Sequence, residues 1–194
     1  MASEKGLVLL NFWVSPFGQR CRIALAEKGL PYEYVEENLM AGKSDRLLRS
    51  NPVHKKIPVL LHDGRPVNES LIILNYLDDA FPDTPSLLPS DPYERAQARF
   101  WADYVDKKNL DGALGDKPFF GGDAFGFVDA AFAPFTSWFH SYEKYGEFSV
   151  AEVAPKIAAW AKRCGERESV AKSLYSPDKI YEFIGLLKKM HGVE

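Results

Sequence analysis

The chain has 194 residues, a formal net charge of −3, and 46% hydrophobic and 26% charged residues. This profile fits a soluble globular protein, long enough for one domain or two small ones with a real core. It gives no electrostatic case for nucleic acid or an anionic membrane, and the short clusters Lys55-Lys56 and Lys188-Lys189 do not reverse that balance.

The N-terminal stretch MASEKGLVLL has only a short apolar run. Neither a signal peptide nor a membrane span is expected from it, and the expected location is the cytoplasm. LVLLNF (7–12) is a β-run, followed by a helix from about Pro16 to Lys28 that closes at Gly29. A second strand is expected near Tyr32 to Val35, and a short helix over SDRLLRS (44–50). IPVLLHDGRPVN (57–68) has the pattern of a hairpin turning at Asp63-Gly64. ESLIILNYLDDAF (69–81) predicts a helix, apolar at Leu71, Leu74 and Leu77. The order β-α-β-α-β-β-α implies an α/β layer on a mixed sheet. Four prolines in PDTPSLLPSDP (82–92) mark a linker. Beyond it no convincing strand pattern occurs. Asp91 caps a helix with Pro92 at its first position, and further helices are expected from near Gly126, Val153 and Pro177. In GFVD (126–129) the acidic residue falls three places after the glycine, where it suits a positive helix start. The second half is therefore expected to be all-α.

FWVSPFGQRC (12–21) is a strand, turn and helix junction of the kind where a two-cysteine redox motif sits, its first thiol at the helix cap. Ser15 stands at that place, Gly18 three residues on, and Cys21 lies deeper in the helix. Serine before Pro16 is first of all a common helix cap. A helix start also offers free N–H groups and positive potential to an anion, and a serine hydroxyl can donate to a thiolate brought by a ligand. Ile57-Pro58 opens a strand in one of two ways. It is an edge strand with a trans proline, or a cis-proline turn that frees the Ile57 backbone to pair with an extended peptide.

Glu69 and Ser70 make either an ordinary capping start for the third helix or a grip on an ammonium group and a carboxylate. Lys43 and Lys56 are either solvated surface lysines or cations for a second carboxylate. Together these residues suit a small peptide with a thiol, an ammonium group and two carboxylates, which is the inventory of glutathione. The histidines His54, His62, His140 and His191 form no nucleophile triad in sequence. No metal-ligand spacing and no GxxxxGK phosphate loop occurs, so neither a metal nor a prosthetic group is expected. Cys21 and Cys164 exclude a multi-disulfide scaffold and a four-thiolate zinc site, and reduced thiols are expected rather than one disulfide between them. The aromatic run FAPFTSWFHSY (132–142) reads as core packing with one edge open to an apolar pocket.

The stretches SPFGQR, LAEKGLPYEY, SNPVHKKIPVLLHDGRPVNESLIILNYLDDAF, LLPSDPYERAQARFWADYVDKK and LGDKPFFGGDAFGFVD are long, ordered and specific. Through them nearly the whole chain resembles the plant glutathione transferases, most of all the tau class. The resemblance implies a thioredoxin-like glutathione-binding domain over 1–83, a linker over 84–92 and an all-α domain over 93–194, usually paired as a homodimer. It implies conjugation of glutathione, as co-substrate, to hydrophobic electrophiles, often with peroxidase activity, in herbicide detoxification or stress response. Carried over by motif, Ser15 is the catalytic hydroxyl that stabilises the glutathione thiolate. Lys43 and Lys56 match the positions that hold the glycine-end carboxylate. Ile57, before the structural cis-proline Pro58, pairs through its backbone with the cysteinyl unit. Glu69 and Ser70 match contacts to the γ-glutamyl end, and Trp13 and Phe17 resemble residues beside the electrophile pocket.

One departure stands out. YVDKK runs to LGDK through NLDGA alone, where family members continue with the rest of a long helix and most of another. About 30 residues after Lys108 are absent against the family pattern, enough for some 45 Å of helix. In the family this region supplies aromatic and basic residues of the electrophile pocket and part of the dimer interface, so the homodimer expectation depends on it. The alternative reading is a shortened, non-catalytic glutathione- or ligand-binding protein of the same fold. A third, a glutathione-dependent thiol oxidoreductase, is opposed by Ser15 standing where related classes place cysteine; Cys21 is expected to be a buried packing residue.

Overall fold

The computed structural model describes residues 5–105 and 114–192. A four-stranded mixed sheet forms the first half, in the order β2-β1-β3-β4. β1 (Leu7–Asn11) pairs in parallel with β2 (Glu33–Glu36) and antiparallel with β3 (Val59–His62), which in turn pairs antiparallel with β4 (Arg65–Asn68). The β3–β4 hairpin turns at Asp63-Gly64 as expected, both residues having positive φ (49° and 76°), the backbone that suits a tight two-residue turn.

β1 is buried along its whole length because both faces of the sheet are covered. Successive side chains alternate in direction, so Leu7 and Leu9 join one core while Val8 and Leu10 join another. On the first face, Leu9 and Leu60 pack with Cys21, Ala24 and Leu25 of α1 (Pro16–Glu27) and with Ile73, Leu74 and Leu77 of α3 (Ser70–Ala80). The second face packs on Leu47 of α2 (Asp45–Ser50). The first core runs on into the helical half through Ala130, Ile157 and Trp160, so the two halves share one hydrophobic interior.

That second half holds α4 (Pro92–Val105), α5 (Phe127–Phe132), a 3₁₀ helix (Ala133–Trp138), α6 (Phe139–Gly146), α7 (Val150–Val153), α8 (Pro155–Gly165), α9 (Glu168–Ala171) and α10 (Pro177–Met190). Among the described residues no strand follows β4, in line with the all-α expectation. The helix expected from near Val153 is α8, which starts two residues on at Pro155. α7 ends at Val153 and Ala154 takes an extended φ of −147°, because a residue before proline is pushed out of the helical region. The junction after Lys108, including NLDGA, lies outside the described residues.

Two buried carboxylates hold the halves in place. Asp78 of α3 takes the Lys28 ammonium at 2.8 Å and accepts from the Leu88 backbone N–H at 2.8 Å, while Lys28 Nζ also donates to the Pro85 carbonyl at 3.0 Å. The proline-rich linker is thereby tied to the first half. Asp129, the acidic residue of GFVD, does more than face a helix start. Its carboxylate accepts from the N–H groups of Phe120, Gly121 and Gly126 and from Trp160 Nε1 at 2.7 Å. Burial raises its pKa, and the four donors oppose that rise.

Candidate active site

At the end of β1 the Ser15 N–H donates to the Phe12 carbonyl at 2.9 Å, which closes a tight turn into α1. Ser15 caps that helix: its Oγ accepts from the Gly18 N–H at 3.3 Å, and Pro16 fills the first position, where a missing N–H removes nothing. Because the oxygen already serves as acceptor, the hydroxyl hydrogen remains available as an outward donor at the positive end of the helix. Gly18 allows a close approach beneath the turn, since a Cβ there would sit 1.6 Å from Asn11 Oδ1.

Six of the residues singled out from sequence line one cavity of about 160 Å³: Phe17, Lys56, Ile57, Pro58, Glu69 and Ser70. It opens beside the start of α1, two residues beyond Ser15. The Ile57–Pro58 peptide is cis, so of the two conformations open from sequence the turn is the one present. Asn51 also lines the cavity and was not singled out from sequence. Its Oδ1 accepts from the His54 N–H at 3.1 Å and its Nδ2 donates to the Lys56 carbonyl at 3.0 Å, which shapes the 51–58 loop. Only its place directly after α2, where an asparagine suits a helix end, hinted at it.

The start of α3 differs from an ordinary cap. Glu69 has φ 71° and its side chain caps nothing, while its carbonyl accepts from Ile73 N–H at 2.8 Å. A non-glycine residue held at positive φ stores on the order of 1–3 kcal/mol of strain, a feature concentrated at functional sites. Ser70, 7% exposed, accepts at Oγ from Arg20 Nη1 at 3.2 Å. Arg20 is the second residue that sequence pattern missed, because an arginine in an amphipathic helix ordinarily faces water.

Besides Ser15, two of the expected residues do not line this cavity. Lys43 lies exposed in the turn before α2. Trp13 packs edge-on against Tyr175 (5.0 Å between centroids) and Phe183 (5.5 Å), with Lys179 Nζ 4.4 Å from its ring centre, at the joint with the helical half. In the aromatic run, Phe132 stacks on Trp160 in the core at 4.7 Å, and Phe135 meets Phe17, which itself lines the cavity, edge-on at 5.9 Å. A larger cavity of about 610 Å³ lies between the linker, α4 and the segment before α5, and none of the expected site residues lines it. Cys21 and Cys164 are buried free thiols, and burial pushes the Cys21 thiol up to about 12. Cys21 is therefore a packing residue and not a nucleophile.

The family models for the glutathione S-transferase N-terminal domain and C-terminal domain match residues 5–79 and 108–163. A probable glutathione S-transferase GSTU1 of Oryza sativa subsp. japonica is 58% identical over 232 aligned positions that cover 100% of both chains. Glutathione S-transferase U19 of Arabidopsis thaliana is 49% identical, with 97% of this chain and 98% of that protein covered. Among solved structures, rice GST1 (OsGSTU1) in complex with glutathione superposes with a TM-score of 0.91 at 58% identity, covering 96% of this chain and 99% of that one. The tau-class glutathione S-transferase of mango gives 0.87 at 38% identity, covering 94% and 98%. The fold is thus that of a glutathione transferase, a thioredoxin-like layer joined to a helical half. The chain belongs to the glutathione S-transferase family, in its plant tau class. Set against the 194 residues of this chain, the 232 positions of the rice alignment leave at least 38 opposite gaps here.

Proposed function

We propose that this protein conjugates glutathione to hydrophobic electrophiles, with the Ser15 hydroxyl holding the glutathione thiolate. The observation that carries the reading is the capped turn. Ser15 Oγ accepts from Gly18 N–H, keeps its own hydrogen for a sulfur, and stands at the helix start that opens onto the Ile57–Pro58 and Ser70 cavity. A hydrogen bond to the anion lowers the thiol pKa, so the proton leaves to solvent. The sulfur then forms a bond to an electrophilic carbon whose leaving group departs with the electron pair, or attacks a hydroperoxide oxygen, breaking the O–O bond to give glutathione sulfenic acid and an alkoxide that takes a proton from solvent. A second glutathione then converts the sulfenic acid to glutathione disulfide and water. In the same reading, Lys56 and the exposed Lys43 hold the glycine-end carboxylate. The Ile57 backbone pairs with the cysteinyl unit beside Pro58, and Glu69 and Ser70 take the γ-glutamyl end. Phe17, with its contact to Phe135, and Trp13 flank the electrophile.

The test is conjugation to a chromogenic aryl halide by the parent and by Ser15→Ala. Loss of a hydrogen bond to a charged sulfur, worth about 1.5–3 kcal/mol, predicts a drop of roughly 10- to 150-fold in kcat/KM. Equal rates would remove Ser15 from the mechanism. Peroxidase activity, a part in detoxification or stress response, and residence in the cytoplasm belong to the same proposal. Among the described residues, no helix is long and apolar enough to cross a membrane. A homodimer is supported by exposed Ile72 on α3 and Tyr93 and Phe100 on α4, and sedimentation at micromolar concentration reads it.

One observation favours a second reading. The at least 38 positions without counterpart in this chain remove sequence that the full-length relatives carry. A shortened protein that binds glutathione without turnover would show glutathione affinity and no product across a broad electrophile panel. Ready turnover eliminates it.

A further inference from the structure

β2 is an edge strand, and a glutamate at its exposed end ordinarily does no more than face water. Glu36 instead reaches the segment that carries Ser15. β1 ends at Asn11, whose carbonyl accepts from the Glu37 N–H at 2.6 Å, so residues 12–15 run on past the sheet ladder. There side chains take over from the ladder. The Trp13 N–H donates to Glu36 Oε1 at 3.0 Å, and the Trp13 carbonyl accepts from Nε2 of the fully buried Gln19 at 3.1 Å. The Trp13 N–H and the Phe12 carbonyl belong to one planar peptide unit, and that carbonyl accepts from the Ser15 N–H at 2.9 Å. Turning this plane therefore moves Ser15 directly. The second Glu36 oxygen accepts from the Tyr34 hydroxyl; burial first, then that bond, push the hydroxyl's pKa up, so it stays a donor. The charged groups on the neighbouring helices are Arg22 of α1, its guanidinium carbon 5.6 Å from the Tyr34 ring centre, and Lys179 of α10, on the Trp13 ring. We infer that Glu36 is a positioning residue: through the Trp13 N–H it fixes the peptide plane that aims the Ser15 hydroxyl at the glutathione sulfur. This inference rests on the glutathione reading of the site given above.

The charge of Glu36 and its hold on the turn act on the sulfur with opposite sign. Removing a nearby negative charge alone makes a thiolate easier to form, whereas releasing the turn weakens the Ser15 hydrogen bond and makes it harder. The experiment uses the full chain saturated with glutathione and reads the ultraviolet absorbance of the thiolate against pH, together with kcat/KM for a chromogenic aryl halide. Glu36→Ala raises the pH at which half of the bound sulfur is thiolate by about 0.5–1, and below that pH it lowers kcat/KM by about three- to ten-fold, the size of one hydrogen bond. Glu36→Gln, which keeps an oxygen for the Trp13 N–H, recovers most of both effects. In the Ser15→Ala background Glu36→Ala adds less than about two-fold, because no hydroxyl is left to place. Affinity for S-methylglutathione, which carries no thiol, stays close to that of the parent in every variant. A lowered or unchanged midpoint, an equal loss with and without Ser15, no recovery by Glu36→Gln, or an equal loss of S-methylglutathione affinity overturns the inference. Should Glu36→Ala not fold, Glu36→Asp, one methylene short of the Trp13 N–H, carries the same decision. A parent that binds no glutathione, or that is indifferent to Ser15→Ala, refutes the proposed function and this inference with it. A parent that depends on Ser15 and not on Glu36 refutes the inference alone.

Discussion

Asp129→Asn gives a test of how the helical half holds the site. The carboxylate is 0% exposed, and each oxygen accepts two N–H groups. Oδ1 takes Phe120 N–H at 2.9 Å and Trp160 Nε1 at 2.7 Å; Oδ2 takes Gly121 N–H at 3.0 Å and Gly126 N–H at 2.9 Å. Asparagine has nearly the same shape but presents an NH₂ on one side. Whichever way the amide turns, two buried donors face another donor. At about 1–3 kcal/mol for each buried group left without a partner, the loss is on the order of 2–6 kcal/mol, a large share of the ~5–15 kcal/mol that holds a domain together. With a urea slope of about 2 kcal/mol/M, the unfolding midpoint falls by about 1–3 M. Urea titration followed by far-ultraviolet circular dichroism and tryptophan fluorescence reads it. Asp129→Ala, which leaves four donors unpaired, is expected to be worse than Asp129→Asn. A midpoint for Asp129→Asn within about 0.2 M of the parent would refute the view that these four bonds hold α5, α8 and the preceding loop together.

Three further outcomes are expected. Glu69→Gly relieves the positive φ of 71° and stabilises the fold by about 1 kcal/mol, while weakening glutathione binding by about ten-fold through the lost carboxylate; thermal melts and titration calorimetry must move in opposite senses, and a fall in both contradicts the strain argument. Gly18→Ala drives a methyl into the Asn11 amide, 1.6 Å from Oδ1, and is expected to destabilise by about 1–3 kcal/mol. Asn11→Ala in the same chain should recover most of that in a chemical melt, and no recovery would place the strain elsewhere. Burial pushes the Cys21 thiol to about 12, so at pH 8 a thiol-specific chromogenic reagent should leave it unmodified in the native protein and react after unfolding. Labelling of native Cys21 at the speed of a free cysteine would show that α1 opens.

Much of the first half was legible because local rules and burial agree there. Serine before Pro16 marks a helix start, the apolar run 7–11 demands cover on both faces, and Asp63-Gly64 suits a tight turn. Ser15, Lys56, Ile57, Glu69 and Ser70 could be picked from motif and from the chemistry of a thiol peptide, and all but Ser15 share one cavity wall. Where one residue served two conformations, sequence could not choose. The cis form at Ile57–Pro58 and the uncapped positive φ at Glu69 are small local differences that packing of the surrounding chain settles. The helix start expected near Val153 falls at Pro155, where proline fixes the first position.

The sequence by itself determined the layer type, the order of elements, and a helix start capped by serine where a reactive cysteine could stand. Tertiary structure alone decided that Arg20 turns inward to Ser70 across 50 positions, that Asp129 gathers donors from a loop and a distant tryptophan, and that Trp13 spends its ring on the joint with α10. The reason is physical. Periodicity records which face of an element avoids water, whereas a buried charge is tolerated only where distant chain segments bring its partners, and no local pattern encodes that meeting.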